Sequence, residues 1–135
     1  MEKTFPRSFD SLSAVYEFAE EIMVAGDISD PARFPVQLAL EELFVNMTKY
    51  NPEVSTDIRV AIDIDPGSKV TVTMVDSGGV EFDVTKPREV DIDAPLEERT
   101  PGGLGIHLIQ TLVSDLHYVY KDGTGTVIFT KESGT

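Results

Sequence analysis

The sequence predicts an α+β domain, and three observations predict it. A long apolar stretch with helical spacing, Val36–Met47, lies N-terminal to two stretches of strict alternation, Asp57–Ile64 and Lys69–Asp76. A turn signal, Asp65–Pro66–Gly67–Ser68, separates those two stretches. A glycine-opened helical stretch then leads into two further strands around Asp122–Gly123–Thr124–Gly125. At 135 residues the chain is expected to form one domain, residues 1–135, with a single core.

Residues Thr4–Phe9 read as a short strand or arm. Ser11–Ala25 is expected to be helical, with Leu12, Val15, Ala19, Ile22 and Met23 on one face and Gly26 ending it. Pro31 opens the next helix with Asp30 as cap, and Asn51–Pro52 stops it near Tyr50. Ile58, Val60, Ile62 and Ile64 alternate inward on the first long strand, and Val70, Val72 and Met74 do so on the second. Val84–Pro101 carries three prolines and no clean period, and reads as a long loop of the kind that is usually functional or disordered. Gly105–Asp115 is expected as a short helix, Leu116–Lys121 and Thr126–Lys131 as a hairpin, and Glu132–Thr135 as a frayed tail.

Composition bounds the function. With 41% hydrophobic and 26% charged residues the chain is an ordinary globular protein, and no stretch is apolar and long enough to span a bilayer. No membrane association and a cytoplasmic location are therefore expected. There is no cysteine, which excludes disulfides and thiolate chemistry, and two histidines are too few for a zinc site. A net charge of −13 argues against direct nucleic-acid binding. It is compatible with a phosphate ligand held locally by a cation and oriented backbone amides, and with an acidic face for a basic protein partner.

Three segments carry chemistry. A helix apolar on most sides is buried on most sides, so Glu42 and Asn46, one turn apart, share a narrow polar stripe continued by Lys49 or Tyr50. There Glu42 is a candidate general base and the Asn46 amide oxygen a candidate Mg²⁺ ligand; a solvated edge formed by Glu41, Glu42 and Lys49 is the plainer alternative. Asp76 shares the parity of the inward strand positions and can accept from an adenine amine, with Gly78 letting a base approach the backbone. Gly102, Gly103, Leu104, Gly105 and Ile106 form a candidate phosphate cradle, with His107 in the first helical turn beside it. It is neither a dinucleotide fingerprint nor a Walker A loop, because Leu108 replaces the third glycine and no lysine follows. Thr126 is a candidate hydroxyl contact on the adenine side. Together, in this order, the segments point to ATP with Mg²⁺.

Glu42–Leu43–Phe44–Val45–Asn46, Asp76–Ser77–Gly78 and Gly102–Gly103–Leu104–Gly105–Ile106 resemble the asparagine box and the two glycine boxes of the gyrase, histidine-kinase and mismatch-repair (GHKL) ATPase superfamily. The stretch Ala94–Pro95–Leu96–Glu97–Glu98–Arg99 narrows the resemblance to the bacterial anti-sigma factor serine kinases. The resemblance implies a two-layer α/β sandwich with helices on one face of a mixed, mainly antiparallel sheet. It implies ATP and Mg as cofactors, Glu42 as base, Asn46 as metal ligand, Asp76 as adenine reader, Gly103 and Gly105 as hinges, and residues 84–101 as a lid. It further implies a serine/threonine protein kinase acting on an anti-anti-sigma (antagonist) protein, with a sigma factor as an alternative partner and homodimers as a common assembly. The chain departs from the pattern in the extra residue before Phe82–Asp83 and in Lys49–Tyr50–Asn51, where a basic or His–Gly pair is usual. Two other readings stand beside it: an ATP-gated sequestering protein, and the ATP-binding half of a histidine kinase.

Overall fold

The computed structural model describes residues 1–50, 56–65, 68–77, 83 and 103–132. Five strands, β1 (Glu2–Phe5), β2 (Ile58–Ile64), β3 (Lys69–Ser77), β4 (Ser114–Lys121) and β5 (Thr124–Glu132), form one sheet in the order β1-β2-β3-β5-β4. Each of these pairings is antiparallel. A 3-10 turn (Phe9–Ser11) leads into α1 (Leu12–Ala25), followed by α2 (Asp30–Tyr50); α3 (Gly103–Leu112) precedes β4.

Alternation makes the sheet one-sided. Ile58, Val60 and Ile62 of β2, Val70, Val72 and Met74 of β3, and Val127 and Phe129 of β5 are buried. The intervening Arg59, Asp63, Thr71 and Thr73 are exposed or half-buried. The helices cover the apolar face with Val15, Ala19 and Met23 from α1, and Ile106 and Ile109 from α3. α2 lies between its two neighbours and also touches β5, so Val36, Ala39, Leu40, Leu43, Phe44 and Met47 are all buried. Burial of each large apolar side chain contributes roughly 1.5–3 kcal/mol, which makes α2 the centre of the fold. The two-layer architecture expected from the resemblance is the one observed.

Several boundaries differ from the sequence reading for identifiable reasons. α1 ends at Ala25 with Gly26 as its C-cap, as expected, but the αL residue is the following Asp27 (φ 59°), and the Ile28 N–H closes the end onto the Met23 carbonyl at 2.9 Å. Gly26 must be small for packing: a Cβ there would lie 2.6 Å from Ile64 Cδ1. The carbonyl accepting the first bonds of α2 is that of Ser29, so Ser29 rather than Asp30 caps it, and Asp30 pairs with Arg33. The last hairpin turns tightly at Asp122 (φ 52°) and Gly123 (φ 80°), with Lys121 opposite Thr124, so Thr124 and Gly125 belong to β5. α3 starts at Gly103, two residues earlier than expected, and β4 starts at Ser114. A positive φ at Asp115 accompanies the register shift between Ser114 and His117. The loop 84–101, the stop Asn51–Pro52, Pro66–Gly67 of the first turn and residues 133–135 lie outside the described residues.

Candidate functional site

The polar stripe of α2 survives folding as a half-buried feature. Asn46 is 4% exposed and Glu42 is half-buried, although the residues around them on the helix are core. Asn46 Oδ1, Glu42 Oε2 and Thr48 Oγ1 are all buried without a hydrogen-bond partner among the described residues. An unmet buried acceptor costs about 1–3 kcal/mol, so two such oxygens one turn apart mark a place built for something other than stability. Desolvation by burial, with Glu41 adding like charge, raises the Glu42 pKa above the ordinary carboxylate value. Such a carboxylate is better matched to taking a proton near neutral pH. The neutral amide oxygen of Asn46 suits a hard divalent cation such as Mg²⁺. No group of three or more His, Cys, Asp or Glu could form a metal cage among the described residues. A cation beside Asn46 would therefore take its remaining ligands from phosphate and water. Lys49 is half-buried in the last turn of α2, and Tyr50 is its last residue.

Asp76 closes β3 on the core-facing parity, buried like Met74 two residues before it. Its Oδ1 accepts from Arg7 Nη2. The Arg7 side chain is 3% exposed and lies at the junction between β1 and the 3-10 turn. Arg7 Nη1 also donates to the Met47 carbonyl at 3.0 Å, and Nε donates to the Thr56 carbonyl at 3.2 Å. Thr56 Oγ1 in turn donates to the Ser77 carbonyl. One guanidinium thus ties the end of β3 to the residue that follows Asn46 on α2. Sequence reasoning missed Arg7 altogether. The only signal was a lone arginine in a polar arm, 69 residues from its carboxylate partner.

The glycine segment is placed differently from expectation. Gly103 and Leu104 join Gly105, the expected first residue, in the first turn of α3 rather than preceding it. Their N–H groups are thus the unpaired donors of a helix N-terminus, which favours anions. The Ile106 side chain is buried in the core, whereas His107 is exposed. Thr126 pairs with Val75, and Gly125 with Asp76, so Thr126 sits on the opposite parity from Asp76. The Thr126 expectation is therefore corrected: strand alternation turns its hydroxyl to the sheet face away from the helices. Gly125 fits beneath Tyr118, whose ring would lie 2.9 Å from an added Cβ. Gly78 and Gly102 lie outside the described residues.

An amide and a carboxylate on a sequestered helix, an inward Asp ending a strand, and a helix opened by glycines now stand on one two-layer fold. The family model of the histidine kinase-like ATPase domain matches residues 5–131. The chain belongs to this family. Among individual proteins it is similar to the serine-protein kinase RsbW of Bacillus cereus (strain AH187), 39% identical over 62 residues, which cover 43% of this chain and 38% of that protein. RsbW of Bacillus anthracis (strain CDC 684 / NRRL 3495) gives the same identity over 62 residues, with the same 43% and 38% coverage. The similarity thus spans well under half the length of these relatives.

Proposed function

We propose that this domain binds Mg-ATP and transfers the γ-phosphoryl group to a serine or threonine of a small antagonist protein. The observation that carries the reading is the pair of unmet buried oxygens, Glu42 Oε2 and Asn46 Oδ1, one turn apart on α2. Asn46 would hold Mg²⁺ against the phosphates, and the bound ion would neutralise charge that develops during transfer. Glu42 takes the proton of the attacking hydroxyl as its oxygen bonds to phosphorus and the bond to the ADP oxygen breaks. Amides of the first turn of α3 receive phosphate oxygens. Asp76 accepts from the exocyclic amine of the base. The likeness to RsbW supports a protein hydroxyl as the acceptor. The test is transfer of labelled phosphate from ATP to a candidate antagonist protein. Transfer by Glu42→Ala equal to that of wild type sinks the kinase reading.

One observation favours a second output, sequestration of a protein. A groove of about 570 Å³ on the outer side of α1 and α2 is lined by Leu12, Tyr16, Phe34, Leu38, Glu17 and Glu41 among others. Tyr16 and Phe34 beside it are 51% and 67% exposed. Aromatic residues ringed by carboxylates suit a basic protein surface. Co-purification with and without ATP tests it, and a complex indifferent to nucleotide removes the gating.

A further inference from the structure

Asp76 is not a loose carboxylate at a strand end. Arg7 reaches it across the fold and is itself held by two further acceptors, the Met47 carbonyl of α2 at 3.0 Å and the Thr56 carbonyl just before β2 at 3.2 Å. The fork of a guanidinium is planar and rigid, so two fixed bonds set the position of the third group it grips. Breaking a buried pair of this kind leaves a stranded charge, which explains why both side chains stay withdrawn from water, at 3% and 10% exposure. Fold stability alone does not require a charge pair here, since apolar residues of similar volume serve as well or better.

We propose that Arg7 is the positioning residue of the base subsite: it fixes Asp76 as an oriented acceptor and thereby sets preference for adenine over guanine. The inference rests on the reading of Asp76 as the acceptor for the base. The chemistry is direct. Adenine presents an amine, a donor, where guanine presents a carbonyl, an acceptor. A carboxylate that cannot swing away rewards the first and repels the second, and sites built around such a polar match discriminate strongly. A carboxylate freed from its brace rotates away from the base edge, loses affinity for adenine and tolerates guanine. Arg7 acts through Asp76 and does not itself touch the base.

The experiment is calorimetric titration of ATP and GTP, each with Mg²⁺, into wild type, Arg7→Met, Arg7→Lys, Asp76→Asn and the Arg7→Met/Asp76→Asn double variant. Melting temperatures are measured alongside. Wild type is expected to prefer ATP by more than about tenfold, and Arg7→Met to lose about tenfold or more in ATP affinity while its ATP-to-GTP ratio falls toward one. Arg7→Lys keeps the charge but cannot make all the bonds at once, so its ratio falls between the two. In the Asp76→Asn background, loss of Arg7 is expected to change the ratio little, because the two act as one unit. A folded Arg7→Met protein with the wild-type ratio overturns the inference, even if its melting temperature drops, since Arg7 would then be only a structural brace. Should Arg7→Met not fold, an Arg7→Lys ratio equal to wild type overturns it instead. Wild type that binds neither nucleotide overturns the ATP reading itself and this inference with it.

Discussion

On α2, Asn46 Oδ1 and Glu42 Oε2 are buried with no partner among the described residues, whereas at the end of β3 Asp76 is gripped by a buried arginine. Both clusters are polar islands at the margin of the same core, and they are handled in opposite ways. The α2 pair has no partner among the described residues, and so has acceptors to offer a cation and a hydroxyl proton. The β3 carboxylate brings its own cation and offers fixed direction. On the proposed reading the contrast separates reactivity from recognition. Groups that change partners during a reaction stay unmet in the resting fold, and groups that only measure shape are braced in advance.

The strongest way to break the comparison is at Glu42. Glu42→Gln is expected to lower phosphoryl transfer by roughly 10²–10⁴-fold with ATP binding nearly intact, measured by label transfer and by calorimetry on the same protein. Retained transfer would mean that the open cluster is not the reactive one. Asn46→Ala comes next. It should remove most of the Mg²⁺ dependence of ATP binding, a drop of about 10–100-fold in the presence of magnesium, seen in titrations with and without the ion. Equal binding under both conditions would assign the cation elsewhere.

Asp76→Ala sharpens the other side. It strands the Arg7 guanidinium, so unfolding in denaturant should reveal a loss of about 3–5 kcal/mol, whereas Asn46→Ala, which strands no charge, should cost less. Similar losses for the two would erase the distinction drawn here. The smallest effect concerns pH. The pKa of Glu42 is raised in the folded state, so the fold favours its protonated form. That carboxylate is a liability above its raised pKa, and the liability fades as pH falls toward the unfolded value. Glu42→Gln is therefore expected to melt a few degrees higher than wild type at neutral pH, with the gap closing in acid. A gap that widens in acid reverses the sign and refutes the assignment. The same substitution that silences transfer should thus firm the fold.

What could be read from the chain and what could not follows one physical divide. The core stripes of β2, β3 and α2 were legible because period-2 and period-3.6 patterns record which face is buried. The inward parity of Asp76 and the sequestered stripe of Glu42 and Asn46 were legible for the same reason. Arg7 was not, because its role depends on a contact spanning 69 residues, and nothing local in Phe5–Pro6–Arg7–Ser8 encodes it. The face of Thr126 is not local either: it depends on the register of β5 against β3, which the turn sets. The four-residue turn was read from composition, while two positive φ values at Asp122 and Gly123 closed it sooner. Gly103 and Leu104 read as the approach to a helix opening at Gly105, because the apolar period starts only there, yet the helix already begins at Gly103.

The order of the strands has a kinetic corollary. Both long helices lie between β1 and β2 in the chain, and the Arg7 bonds to Met47, Thr56 and Asp76 span 40, 49 and 69 residues. Contacts so distant along the chain carry a large loop-closure entropy and form after the local ones. Weakening them should quicken unfolding while leaving the refolding rate almost unchanged. The corner held by Arg7 and Asp76 would then be the last part of the molecule to set and the first to loosen.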